Sequence, residues 1–329
     1  MGDWCWEPRL AVSGQRSCVK ENTLNPAKKN GSFVRITREA RGRVSGDGIE
    51  LAFGYWPGRG APVVALHGLT ASYLNFIGIA EKLAGRRPLV AFDLRGRGDS
   101  DKPTGPYGMA QHARDVAAAM RAMELGPSLV IGHSMGAFVA TALAAQEPEL
   151  VAALVLIDGG YVPAALAGAS PGQAGAALAA RIAQLRHTYP SREEYRKFWR
   201  TQPHFPPADW SRWVEALLDY EVAGESPVQP KASEVGVIAD MAEVVQREAV
   251  VERLKSIRVP TILLRAEKGF VPDQAPLLPD ELAAEIRSYV PQVEDHKFSG
   301  TTHYTIVLGE DHAARTADVI CGLAERLQG

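Results

Sequence analysis

The sequence predicts an α/β protein built on a doubly wound, mostly parallel sheet with an inserted helical subdomain. Three observations carry this: short unbroken apolar runs, helical stretches alternating with them, and a loss of that rhythm over residues 160–250. The runs are Val63-Val64-Ala65-Leu66, Pro88-Leu89-Val90-Ala91-Phe92, Leu129-Val130-Ile131 and Leu154-Val155-Leu156-Ile157. Runs this short and continuous suit strands buried on both faces of a parallel sheet. Between them, residues 73–84, 109–125 and 137–147 have the length and apolar spacing of crossover helices, and alternation of strand and helix produces a doubly wound sheet.

Residues 1–32 combine Trp4, Trp6, Pro8, Pro26 and Lys28-Lys29 without strand or helix periodicity, so an arm outside the core is expected there. Next, Val34-Arg35-Ile36-Thr37 alternates, and Gly46-Asp47-Gly48 separates Val44 from Ile49-Glu50-Leu51-Ala52-Phe53. That is the pattern of antiparallel edge strands joined by a tight turn. The interruption after Ile157 exceeds any ordinary αβ connection and reads as an insertion. It holds an Ala-rich stretch over 164–185, then Tyr189, Tyr195, Phe198, Trp199, Phe205, Trp210, Trp213 and Tyr220. Those rings are expected mainly to form the insertion's own small core, with one or two facing a cleft. The rhythm resumes with a helix over 251–257, a strand over 261–264, a helix over 280–289, a strand over 293–298 and a closing helix over 312–327. One domain of residues 33–159 and 251–329 is thus split by a helical cap of residues 160–250.

Composition narrows the function. Of 329 residues, 46% are hydrophobic and 22% charged, the balance of a soluble globular chain. A formal net charge of −2 offers no basic field for a polyanion, which argues against nucleic-acid binding. Cys5, Cys18 and Cys321 are odd in number and form no CxxC pair, so they read as free thiols. Glu7, Pro8, Arg9, Gln15 and Arg16 interrupt any apolar leader, and no run reaches the roughly 20 residues needed to span a bilayer. A cytoplasmic protein without a membrane span is expected. With no HExxH, Walker A or strand-following GxGxxG, neither metal nor organic cofactor is expected.

The strongest chemical signal is Gly132-His133-Ser134-Met135-Gly136, set between the run ending at Ile131 and the helix from Ala137. A strand that turns sharply into a helix leaves no room for side chains at the two glycines and exposes the serine hydroxyl. Here the chain resembles the α/β-hydrolase family, from about Val44 onward. His67-Gly68-Leu69 is similar to the family's oxyanion loop, which implies that the N–H groups of Leu69 and Met135 receive a developing oxyanion. The stretch Asp93-Leu94-Arg95-Gly96-Arg97-Gly98-Asp99-Ser100 also resembles a family loop, and its charges are assigned to loop structure.

The resemblance places a general base in the loop after the last strand, where His303 lies. His187 and His204 fall in the insertion, His296 within a strand and His312 at a helix start. The acid departs from the commonest family pattern, because Arg265-Ala266-Glu267-Lys268-Gly269 puts glycine near the usual aspartate. Other members carry the acid after the sixth strand, where Asp158 stands 24 residues beyond Ser134. Asp158 is preferred, with Glu267 and then Asp273 as alternatives. These roles imply acyl transfer through an acyl-enzyme on Ser134, with a small to medium, largely apolar carboxylic ester as the expected substrate. A serine at this turn disfavours relatives that use aspartate there, the haloalkane dehalogenases and epoxide hydrolases. A lactone, amide or C–C acyl hydrolase of the same fold, and a non-catalytic ligand-binding member, stay open.

Overall fold

The computed structural model describes residues 39–163 and 171–328, the side chains of 171–178 excepted. The expected arm over 1–32, the alternating Val34-Thr37 segment, Cys5, Cys18 and the start of the Ala-rich stretch lie outside the described residues. Eight strands form one sheet: β1 (Ala40–Ser45), β2 (Glu50–Trp56), β3 (Val63–Leu66), β4 (Leu89–Phe92), β5 (Ser128–His133), β6 (Val151–Ile157), then β9 (Thr261–Ala266) and β10 (Val293–Phe298). Their order is β1-β2-β4-β3-β5-β6-β9-β10. Only the β1–β2 and β2–β4 pairings are antiparallel; the others are parallel.

The unbroken apolar runs are explained by two cores. Val64, Leu66, Val90, Phe92, Val130, Leu154 and Leu156 pack on one face, against α2 (Met109–Ala122) and α3 (Met135–Gln146). Their neighbours Val63, Ala65, Leu89, Ala91, Leu129, Ile131, Val155 and Ile157 pack on the other, against α1 (Ile77–Leu83) and the C-terminal helices. Alternate residues of a strand face opposite sides, so a strand buried on both must be apolar throughout.

Between β6 and β9 the chain forms α4 (Pro171–Arg186), α5 (Arg192–Arg200), α6 (Arg212–Tyr220), the short ribbon β7 (Val222–Ala223) and β8 (Gln229–Pro230), α7 (Glu234–Val244) and α8 (Arg247–Ser256). Ser191, Ser211 and Ser233 start α5, α6 and α7, each side chain accepting from a backbone N–H three residues on, the usual role of serine at a helix N-terminus. Tyr189, Tyr195, Trp199, Phe205 and Trp213 are buried, and their cluster is continuous with the second face of the sheet. The insertion's aromatics therefore do not form a separate core. They anchor it to the body of the protein: Trp213 lies so close to Gly78 that a Cβ there would meet its ring at 2.7 Å.

Elsewhere the elements differ in detail from the sequence pattern. The stretch over 73–84 begins as a 3₁₀ turn, Tyr73–Phe76, before α1. After β9 comes α9 (Asp280–Tyr289). The closing helix is α11 (Glu310–Arg326), and a short helix that the pattern did not show, α10 (Thr305–Leu308), precedes it across the extended backbone of Gly309.

A buried ionic cluster ties α7 to the sheet. Asp240 faces Arg97 and His112, all three fully buried, and also accepts the Gly108 N–H at 2.7 Å. Arg97 in turn donates to the carbonyls of Leu69 and Arg95. Burial pushes the Asp240 carboxyl up, but the charges of His112 and Arg97 and their hydrogen bonds outweigh it and hold the group at about 2. A carboxylate whose folded pKa lies below its unfolded value near 4 stabilises the fold above that pH and loses its contribution as pH falls through the folded value. The shift corresponds to roughly 2 kcal/mol. Asp240→Asn should therefore unfold at lower urea than the parent at pH 7, and the gap between the two should shrink as pH is lowered from 5 toward 2. A gap that is constant across that range would show that the Asp240 charge does not contribute.

Candidate active site

Parallel pairing brings the carboxyl ends of the strands together. Leu66 pairs with Gly132, His133 with Ile157, and Ile157 with Leu264, so β3, β5, β6 and β9 end side by side. Ser134 follows β5 with φ 57° and ψ −121°, a conformation that L-residues adopt only under constraint. The constraint is crowding. A Cβ at Gly136 would lie 1.9 Å from the Leu66 carbonyl oxygen, and one at Gly132 would lie 2.3 Å from that of Gly136. The Ser134 N–H donates to Ile157 O at 3.0 Å, which ties the turn to β6.

Asp158 follows β6 directly, also in the left-handed region at φ 45°. Its Oδ2 lies 2.7 Å from His303 Nδ1, and its Oδ1 accepts the Ala266 N–H at 3.1 Å. A carboxylate facing Nδ1 fixes the proton there and leaves Nε2 as an acceptor. His303 is held in the loop after β10, its N–H donating to Gly269 O at 2.9 Å. Both residues are buried. Ser134, His303 and Asp158 line one cavity of about 140 Å³, and no direct hydrogen bond joins the Ser134 hydroxyl to His303.

The two alternative acids are not brought to His303. Glu267 instead accepts the Gly300 N–H at 2.8 Å, bracing the loop that carries the histidine, and Asp273 is exposed. Leu69 and Met135 both line the cavity, Met135 as the first residue of α3, where N–H groups lack helical partners and the helix dipole favours negative charge. His67 holds the Leu69 loop: its Nε2 accepts the Leu94 N–H at 2.9 Å, so Nδ1 carries the proton toward Gly68 O at 2.8 Å. Burial depresses this ring to about 3, and the bond that Nε2 accepts requires the neutral form.

A model of the alpha/beta hydrolase fold family matches residues 61–310. The chain belongs to this family. Within it, 101 residues are 36% identical to 2-(acetamidomethylene)succinate hydrolase of Mesorhizobium japonicum, covering 31% of this chain and 36% of that protein. Another 120-residue match is 34% identical to N-formylmaleamate deformylase of Pseudomonas putida, covering 36% of this chain and 45% of the relative. Both stretches span less than half of the relative. Among solved structures, E-2-(acetamidomethylene)succinate hydrolase superposes with a TM-score of 0.72 at 21% identity, over 88% of this chain and all of that one. Among the described residues no helix is long and apolar enough to cross a membrane, and no group of three or more potential ligands could hold a metal ion.

One contact of this hydrolase-fold chain escaped sequence reasoning. His133, inside the glycine-flanked motif, donates from Nε2 to the His303 carbonyl at 2.8 Å, while its Nδ1 meets Asn75 Nδ2 at 3.1 Å. Its ring stacks 4.6 Å from that of His303. Burial first, then the His303 charge, keeps His133 well below the usual histidine range, so it is a neutral donor that positions the His303 backbone. A sequence signal did exist, since a polar ring inside a buried turn requires a partner. His133→Phe keeps the volume but strands a carbonyl and the Asn75 amide. It should cost about 1–3 kcal/mol in urea unfolding, with the loss reduced in Asn75→Leu/His133→Phe; equal losses would contradict this coupling.

Proposed function

We propose that the protein is a serine acyl hydrolase in which Ser134 is the nucleophile, His303 the general base and Asp158 the residue that orients and charges it. The observation that carries this reading is the 2.7 Å Asp158–His303 contact at the wall of the cavity that also holds the strained Ser134. In the proposed cycle, His303 Nε2 takes the Ser134 proton as Oγ attacks the substrate carbonyl. The N–H groups of Leu69 and Met135 receive the oxyanion, each contributing about 10²–10³ in rate. His303 then gives its proton to the leaving group, and water repeats the sequence on the acyl-enzyme.

We take the helical segment of residues 160–250 to be a cap that closes the cavity, with Arg181, Met241 and Val244 on its wall. The Tyr and Trp residues of the insertion do not line this cavity, so the apolar lining comes chiefly from Leu69, Phe138, Phe270 and Leu277. A small carboxylic ester fits this reading, and an amide or carbamate fits it equally. The names of the relatives favour the latter, including a putative carbamate hydrolase of Caulobacter segnis, 35% identical over 116 residues.

A fluorophosphonate should label the wild type and not Ser134→Ala. On p-nitrophenyl acetate and butyrate, Ser134→Ala and Asp158→Asn should each lose about 10³–10⁴ in kcat. Glu267→Gln, whose amide oxygen can still accept from Gly300, should stay within a few-fold of the parent. Absence of labelling would refute the nucleophile, and a collapse of activity confined to Glu267→Gln would transfer the acid role to that residue.

A further inference from the structure

The wall of the cavity beside Ser134 is mostly apolar, and among the described residues lining it the one arginine or lysine is Arg181 of α4. The three most deeply buried arginines among the described residues are matched by carboxylates: Arg95 by Asp115, Arg97 by Asp240, Arg265 by Asp295 and Asp280; Arg181 is half-buried. Arg181 is different. Its side chain donates to Gln184 Oε1 at 2.8 Å, one turn along its own helix, and no carboxylate among the described residues forms an ion pair with it.

Glu221 does not supply the missing charge. Arg181 and Thr70 also line a small adjoining cavity with Glu221, Tyr195 and Trp199, and Glu221 Oε1 is sealed from solvent with no hydrogen-bond partner among the described residues. Burial, then the charge of Asp93, pushes the Glu221 carboxyl up to about 8 against the opposing pull of Arg181 and Lys231. At neutral pH that group is mostly protonated, so the guanidinium stands beside a neutral acid. A cation at a mostly apolar wall, partly withdrawn from water, is stabilised by an anion, and the planar fork of arginine matches a carboxylate in two parallel hydrogen bonds.

We infer that Arg181 is a specificity-determining residue that binds a carboxylate carried by the substrate, a short distance from the scissile carbonyl. The inference rests on the acyl-hydrolase reading for the placement of that carbonyl at Ser134. A cavity of about 140 Å³ has room for roughly ten water-sized positions, so the anion and the carbonyl belong to one small molecule. The carboxylate belongs either to the acyl part, as in a half-ester of a short dicarboxylic acid, or to the leaving group.

Binding in the Ser134→Ala background tests this without turnover. Two matched pairs separate the sources: monomethyl glutarate against methyl valerate for an acyl-side anion, and 4-acetoxybenzoate against phenyl acetate for a leaving-group anion. By calorimetry, the charged member of one pair should bind about 10- to 100-fold more tightly than its neutral partner. That ratio should fall to about one in Ser134→Ala/Arg181→Met and survive in part in Ser134→Ala/Arg181→Lys, whose urea midpoints establish that both are folded. Equal binding of charged and neutral members in both pairs, or a preference that persists in the Arg181→Met variant, overturns the inference. Failure of the serine chemistry itself would appear as loss of fluorophosphonate labelling in the wild type and would leave these binding ratios unaffected.

Discussion

The close approach of α3 to the ends of β3 and β6 governs the rest of the structure. Within a few residues the chain must leave β5, present Ser134 and begin a helix that packs back on one face of the sheet. Only glycine tolerates that at two positions: a Cβ at Gly136 would overlap the Leu66 carbonyl and one at Gly132 the Gly136 carbonyl. Gly159 completes the squeeze, because a Cβ there would lie 2.2 Å from the Ser134 carbonyl oxygen. Ser134 is thereby forced into an uncommon backbone conformation, and the cost of that strain is met by the two cores that hold the sheet from either side. The same squeeze places Met135, the first residue of α3, on the cavity wall beside Leu69.

The parts of the sequence that were legible share one property: their meaning is local. Val63-Leu66 or Leu154-Ile157 can be read as buried strands because both faces of each residue pair must be covered, and the Gly132–Gly136 spacing can be read as a tight turn because sterics act between neighbours. Asp158 was singled out by its place after the sixth strand and by resemblance, and the contact it makes with His303 follows from a parallel sheet, which brings strand ends together. The short helix Thr305–Leu308 and the 3₁₀ start at Tyr73 depend on packing against distant residues, and periodicity does not encode them. The insertion's aromatics were misjudged for the same reason. Trp213 and Trp199 look like a local cluster in the sequence, but they are buried in continuity with Phe76 and Ile306 of the main body.

Arg181 and His133 were missed on different grounds. Histidine in a glycine-flanked turn looks like a variable neighbour of the serine until the structure places it under the His303 carbonyl. An arginine in an Ala-rich helix looks like a solvated charge, since most arginines at that spacing face water. Its significance lies in what does not pair with it, a property of three-dimensional surroundings that no window of sequence contains.

The charges of the Asp93–Ser100 stretch show how such surroundings can assign a role opposite to the one a lone residue implies. Asp93 is fully buried and its carboxyl is raised to about 6 by that burial, the profile of an acid–base group. Yet it accepts from the Tyr73 and Asp99 backbones and from the Tyr220 hydroxyl of the insertion, and its lone pairs are committed to holding those elements. Arg97 behaves likewise, spanning the Leu69 carbonyl and Asp240 of α7. Replacing such buried ions with apolar groups often costs little stability in itself, so the value of these contacts lies in geometry. They define where the Leu69 loop sits relative to α7, and with it the width of the cavity between Ser134 and the inserted helices. On the proposed mechanism a half-ångström error in that loop would misplace the Leu69 N–H, so two buried charges do there what two leucines could not: they fix a position by directed hydrogen bonds.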